Sequence, residues 1–141
     1  MKPSEFISEY RECFGNGALL PLAVVYTDMP LSEPRNITGC MFKQFHRAYN
    51  GETVTFDAES LTCGGGKLYT GLGPAQERIY DFVSKIERYK HSPELVRSYI
   101  ANLNPRLSEK PYLNIVPIER LDRFDEIEGL MFLVTPDMLS G

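Results

Sequence analysis

Three cysteines, Cys13, Cys40 and Cys63, two histidines, His46 and His91, and the run Cys63-Gly64-Gly65-Gly66-Lys67 are the residues of this chain whose types could do chemistry. A cysteine followed by three glycines permits backbone conformations that side chains forbid, and it leaves a row of N–H groups beside a sulfur. The run therefore predicts an anion-receptive turn built from the N–H groups of Gly64, Gly65, Gly66 and Lys67, with the Lys67 ammonium adding charge. A tight structural turn is the competing reading.

Named nucleotide loops do not fit. A P-loop needs glycine where Leu61 stands and serine or threonine where Leu68 stands. The dinucleotide fingerprint fails at Tyr69 after Gly64-x-Gly66, and at Gln76 after Gly71-x-Gly73. Metal binding would need Cys40, Cys63, His46 and His91 to converge from separate elements. Cys40 and His46, six apart on a helix, differ by roughly 120° and share no face, so no metal is expected. Thiol catalysis would use Cys63 as nucleophile, with His46 or His91 as base. No spacing assembles that set, so catalytic residues stay unassigned, as does any cofactor.

The elements that must position these residues follow from periodicity. Phe6, Ile7, Tyr10, Cys13 and Phe14 recur at helical spacing after a Ser4 cap and stop at Gly15-Asn16-Gly17, with Cys13 expected on the buried stripe. Pro21 to Tyr26 reads as a buried strand, followed by a loop in which Glu33, Arg35 and Asn36 could hold a ligand. A helix from Thr38 buries Met41, Phe42, Phe45, Ala48 and Tyr49 and closes at Asn50-Gly51. Cys40 falls in its first turn, where helix-end N–H groups can activate a sulfur. Glu52 to Phe56 alternates as a half-buried strand that delivers the chain to Cys63.

Downstream, Gln76 to Arg88 places Ile79, Phe82, Val83 and Ile86 on one helical stripe. Ser92-Pro93-Glu94 is a strong start for a helix with Leu95, Val96, Tyr99, Ile100 and Leu103 as its apolar face, ending at Asn104-Pro105. Tyr112 to Pro117 is a strand. Gly129 to Val134, apolar at nearly every position, predicts a central strand covered on both faces. Thr135-Pro136-Asp137 opens a helix that Ser140-Gly141 leaves short. The expected fold is a mixed α/β (α+β) domain over residues 1–141, with about four strands in a small sheet and helices packed on it.

Composition narrows the function classes. The 141 residues carry a net charge of −4 with both signs mixed, which disfavours nucleic-acid binding. No apolar run approaches a membrane span and no signal peptide is evident, so a cytoplasmic protein with no membrane partner is expected. Scattered cysteines, odd in number, predict free thiols.

The pattern Gly39-Cys40-Met41-Phe42, Ala48-x-x-Gly51, Cys63-Gly64-Gly65 and Gly71-Leu72-Gly73 resembles domain-of-unknown-function family 169 from about Pro21 onward. Ser92-Pro93-Glu94 and Thr135-Pro136-Asp137-Met138-Leu139 have that family's spacing as well. The resemblance implies a site using Cys40 and the Cys63-Gly64-Gly65 segment. It also implies that relatives continue beyond Gly141 and carry a further cysteine, so this chain resembles their N-terminal portion, a truncated version of a longer domain. The family has no settled biochemical function.

The expected function is binding of a small anionic or cofactor-like molecule through Cys40, Cys63, Gly64, Gly65, Gly66 and Lys67. Two alternatives stand beside it: a cysteine-dependent or redox enzyme, and an interaction subunit completed by another chain. The uncovered C-terminal strand also predicts a homo-oligomer.

Overall fold

The computed structural model describes residues 1–140. Gly141, the end of the helix start expected at Thr135, lies outside them. Helix α1 runs Pro3–Phe14 and β1 Leu22–Thr27. A 3₁₀ turn, Met41–Gln44, leads into α2, Phe45–Tyr49, and β2 is Val54–Phe56. Then come α3, Gly64–Tyr69, α4, Glu77–Asp81, and α5, Pro93–Leu103. The chain returns through β3, Tyr112–Pro117, and β4, Gly129–Met131, to α6, Pro136–Ser140.

The described residues form a mixed α+β fold on a four-stranded antiparallel sheet ordered β2-β3-β1-β4. Strands β1 and β3, six residues each, hold the two interior places. Their register, Leu22 opposite Pro117 and Tyr26 opposite Leu113, puts Leu22, Leu113 and Ile115 on one face with Val54 and Phe56 of β2. Ile37, Met41, Ala48 and Leu61 cover that face. On the other face Ala23, Val25 and Val116 pack with Leu121, Ile127 and Leu130. A third cluster, Leu68, Ile79, Tyr80, Val96 and Ile100, joins α3, α4 and α5 beside the sheet.

The second face also holds a polar row. Asn114, fully buried on β3, lies opposite Val25 and Thr55. Its Oδ1 accepts Thr55 Oγ1–H at 2.6 Å and the Leu31 N–H at 3.2 Å, while its Nδ2 donates to Val25 O and, at 2.8 Å, to Thr27 Oγ1. Thr55 Oγ1 takes the Ser32 N–H at 3.0 Å. Every hydrogen-bonding group of the Asn114 amide is thus used, as a buried amide requires. The network fixes the start of the 29–36 loop to the sheet.

Several expectations are corrected. Helix α1 begins at Pro3 with Lys2, not Ser4, as its cap; Glu5 reaches back to accept the Lys2 N–H at 2.8 Å. Its docking runs through an aromatic row, Phe6, Tyr10 and Phe14, with Tyr10 against Phe132, and this rotation leaves Cys13 exposed. The segment expected as one helix from Thr38 splits, because the first turn is 3₁₀ and α2 spans five residues. Strand β2 is buried at all three positions, since the 29–36 loop covers the side expected to face solvent.

The stripe after Gln76 breaks at a π-type turn, Phe82–Ile86, closed by Glu87 N–H to Phe82 O. The wider turn takes the stripe out of α-helical register: Phe82 and Ile86 face solvent, and Ser84 turns inward to bond Tyr80 O at 2.7 Å. Strand β4 is an edge, not a central strand. The two interior places belong to β1 and β3, and the apolar residues of β4 and its extension are shared between Leu130 on one face, Met131 on the other and Phe132 against Tyr10.

Candidate functional site

The glycine run folds as a helix and not as an open turn. Its glycines are the first three residues of α3, and Cys63, extended at φ −68°, ψ 108°, is the N-cap. Cys63 Sγ accepts the Gly66 N–H at 3.3 Å, and Cys63 O accepts the Lys67 N–H at 2.8 Å. Two of the four N–H groups expected in the anion nest are therefore committed within the chain. Those of Gly64 and Gly65 have no partner among the described residues.

The three glycines answer to different demands. A Cβ on Gly66 would stand 2.8 Å from Met41 Sδ and 3.2 Å from Cys63 Cβ, so this glycine lets the 3₁₀ turn pack onto α3. A Cβ on Gly64 or Gly65 would meet nothing nearer than 3.8 Å, and neither residue has a positive φ. Around them stand groups that local sequence did not single out. Arg78 Nη2 donates to Thr62 O at 2.7 Å, and Arg78 Nε lies 4.0 Å from the Cβ position of Gly64, with Gln76 Oε1 at 3.8 Å. The Tyr69 ring edge lies 4.0 Å from the Cβ position of Gly65. Arg78 sits fifteen residues beyond Cys63 on the exposed side of α4, so no spacing in the sequence announces it.

Lys67 packs its stem over Gly73, with Cδ 3.5 Å from that residue's Cβ position. Its ammonium acts on Asp57: burial raises that carboxyl's pKa, but hydrogen bonds from Ser60 and Glu59, with the Lys67 charge, lower it further. Cys40 is the extended N-cap of the 3₁₀ turn and is exposed, rather than lying within a first helical turn. It is joined to the Cys63 corner through its neighbour Met41, which meets Gly66. Cys63 is half-buried against the Leu61–Met41 side of the core.

The structure does not bring either histidine to a cysteine as a base. His91 is exposed in the turn before α5. His46 belongs with Arg35 and Arg47 around Glu52, whose carboxyl is held low by the Arg47 hydrogen bond first and by these neighbouring charges after it. That cluster borders a cavity of about 10 Å³ lined by Ser32, Glu33, Arg35, Arg47, Thr53 and Thr55, the volume of a single water. Neither cysteine lines it. Among the described residues, no three His, Cys, Asp or Glu side chains gather to hold a metal, and no helix is long and apolar enough to cross a membrane.

The described residues define a small α+β protein in which a cysteine-capped, glycine-opened helix lies beside a four-stranded antiparallel sheet. The chain belongs to domain-of-unknown-function family 169, described as uncharacterised ArCR, whose model matches residues 19–141. Comparison with curated proteins and with solved structures finds no match.

Proposed function

We propose that the protein is a binding module for a small anionic or cofactor-like molecule, taken where Cys63, Gly64 and Gly65 adjoin Arg78. The observation that supports this reading is that the chain itself makes no use of two of its glycines. Gly64 and Gly65 are helical, uncrowded and free of positive φ, and each weakens α3 by roughly 0.5–1 kcal/mol relative to alanine. A glycine with no internal reason is accounted for by an external group that approaches the backbone closely. The free N–H groups and the guanidinium are all donors, so the complementary group is an acceptor such as a carboxylate or phosphate.

Thermal unfolding in the presence of inorganic phosphate, small carboxylates and nucleotides tests this. An anion that binds raises the melting temperature, and Gly65→Ala or Arg78→Gln removes the shift while leaving the apo protein folded. If none of these anions shifts the melting temperature, the reading fails. A shift that survives both substitutions places the ligand elsewhere.

A second reading, cysteine-dependent chemistry, draws on the Gly66 N–H that points at Cys63 Sγ. Iodoacetamide labelling distinguishes it, with exposed Cys13 and Cys40 as internal references. A Cys63 rate no faster than theirs removes this option.

A further inference from the structure

Two asparagines of this chain, Asn16 and Asn50, are followed by glycine, and the fold treats the two pairs differently. An asparagine side chain loses ammonia when the backbone nitrogen of the next residue attacks its amide carbon, Cγ. A following glycine, with no Cβ, leaves that nitrogen unshielded and its backbone free to turn. The four other asparagines precede Ile37, Leu103, Pro105 and Ile115, which shield the nitrogen or, for proline, have no N–H to give up. Exposure does not separate the two Asn-Gly pairs, because both asparagines face solvent. Backbone hydrogen bonding does. Asn50 ends α2, and the Gly51 N–H donates to Ala48 O at 3.0 Å, between an Asn50 N–H held by His46 O and Arg47 O and a Glu52 N–H held by Arg47 O. The nitrogen that would attack is committed, and the last turn of α2 must open before it reaches Cγ. Asn16 and Gly17 are instead the central residues of the turn after α1, closed by the Ala18 N–H on Gly15 O at 3.1 Å. Neither the Gly17 N–H nor the Asn16 side chain has a hydrogen-bond partner among the described residues.

We infer that Asn16 is a modification site, deamidating spontaneously in the folded protein, and that the fold protects Asn50. The Gly17 nitrogen gives its proton to solvent base and bonds to Asn16 Cγ. The Cγ–Nδ2 bond breaks, ammonia leaves, and a five-membered succinimide closes. Water then adds to one of the two ring carbonyls and breaks its bond to the nitrogen. Addition at Cγ gives aspartate, and addition at the main-chain carbonyl gives isoaspartate, in which the chain runs through the side-chain carbon. No oxidant or reductant takes part. Either product sets a carboxylate just past the C-terminal end of α1, in a surface depression shared with Arg11 and Glu12, and the helix dipole there disfavours negative charge. Isoaspartate also lengthens the connection from α1 to β1. None of these residues belongs to the Cys63 corner.

Incubating the whole chain in mildly alkaline buffer, with peptide mass mapping over time, tests the inference. The peptide containing Asn16 is expected to gain about 1 Da, part of it becoming a substrate for a protein isoaspartate methyltransferase. The Asn50 peptide converts ~10-fold or more slowly, since the Gly51 hydrogen bond and the turn around it must break first. In urea both peptides convert at similar rates, which assigns the difference to the fold. Gly17→Val slows conversion at Asn16 ~10-fold or more by shielding the nitrogen. A Cβ there meets nothing within 4 Å and the residue has no positive φ, so circular dichroism is unchanged. An Asn16 peptide that gains no mass in the native protein overturns the inference, as does an Asn50 peptide that keeps pace with it. A difference that persists undiminished in urea belongs to local sequence and overturns the protection of Asn50 by the fold.

Discussion

The thioether sulfur of Met41 stands 2.8 Å from the point where a Cβ on Gly66 would sit, and this approach joins the 3₁₀ turn after Cys40 to the helix after Cys63. Gly66 is therefore a packing glycine, and its neighbours Gly64 and Gly65 are not.

This difference gives the first prediction. Gly64→Ala and Gly65→Ala raise the stability of the apo protein by roughly 0.5–1 kcal/mol each, because alanine favours the helix and meets only ordinary contacts. Gly66→Ala gains the same propensity but loses about 1–3 kcal/mol to overpacking, since Met41 is buried and has little room to yield. The net effect is destabilising by about 1 kcal/mol. Urea midpoints of the three variants check the order.

Gly71 is constrained more tightly. It has φ 71°, and a Cβ there would lie 2.7 Å from Arg106 O and 2.8 Å from Ser108 N, both backbone atoms. Neither can rotate aside as a side chain could. Gly71→Ala is expected to cost about 2–4 kcal/mol, from a left-handed conformation and a clash together, and to lower the thermal midpoint by more than any substitution in α3.

Replacing Asn114 by leucine removes a fully bonded amide from between two strands. The Leu31 N–H, the Thr55 hydroxyl and the Thr27 hydroxyl all lose the partner it provides. At about 1–3 kcal/mol for each buried group left unsatisfied, Asn114→Leu is expected to destabilise by about 3 kcal/mol or more. Hydrogen exchange at Leu31 should accelerate more than exchange in α5. Equal acceleration everywhere would mean global loss of stability instead of a released loop.

The Tyr26 hydroxyl donates to Thr70 O at 2.6 Å and ties β1 to the end of α3. Burial first, and the nearby Glu128 carboxylate second, raise its pKa above the ordinary tyrosine value. A folded-state pKa above the unfolded one means that the native state holds this proton more tightly. The stabilisation is then complete below the unfolded tyrosine pKa and is lost as pH rises through the folded one. Tyr26→Phe should cost about 1 kcal/mol near neutral pH and flatten the decline of stability on the alkaline side, measured by thermal unfolding against pH.

Residues that signal locally were readable without a structure. Ser92-Pro93-Glu94 starts α5 as expected, with Ser92 Oγ accepting the Leu95 N–H, and Gly15 closes α1 at φ 87°. Strands β1 and β3 follow from their β-branched runs, and the four-stranded α+β architecture with them. The family resemblance likewise rested on short motifs in order, and the family model covers the same stretch.

The candidate site was legible in part. The unusual Cys63 to Lys67 composition marked it, but three glycines in a row look alike in sequence, and separating packing Gly66 from free Gly64 and Gly65 required the position of Met41. Arg78 and Tyr69 come to the corner through the docking of α4 and the pitch of α3, distances that no local pattern encodes.

The amino-acid sequence by itself determined the set of elements with strong ends and strong periodicity, because caps, prolines and side-chain alternation act over a few residues. Tertiary structure alone decided which apolar run became an edge, why Cys13 faces solvent, and which apolar residues of α5 are buried. Those outcomes depend on competition between distant segments for the same face. Gly129 to Val134 is as apolar as β1, yet β1 and β3 pair more extensively and hold the centre, leaving β4 with one neighbour. The Cys63 run changed from a turn to a helix for the same kind of reason: Met41 and Cys63 close on Gly66 and fix a backbone that glycine leaves free.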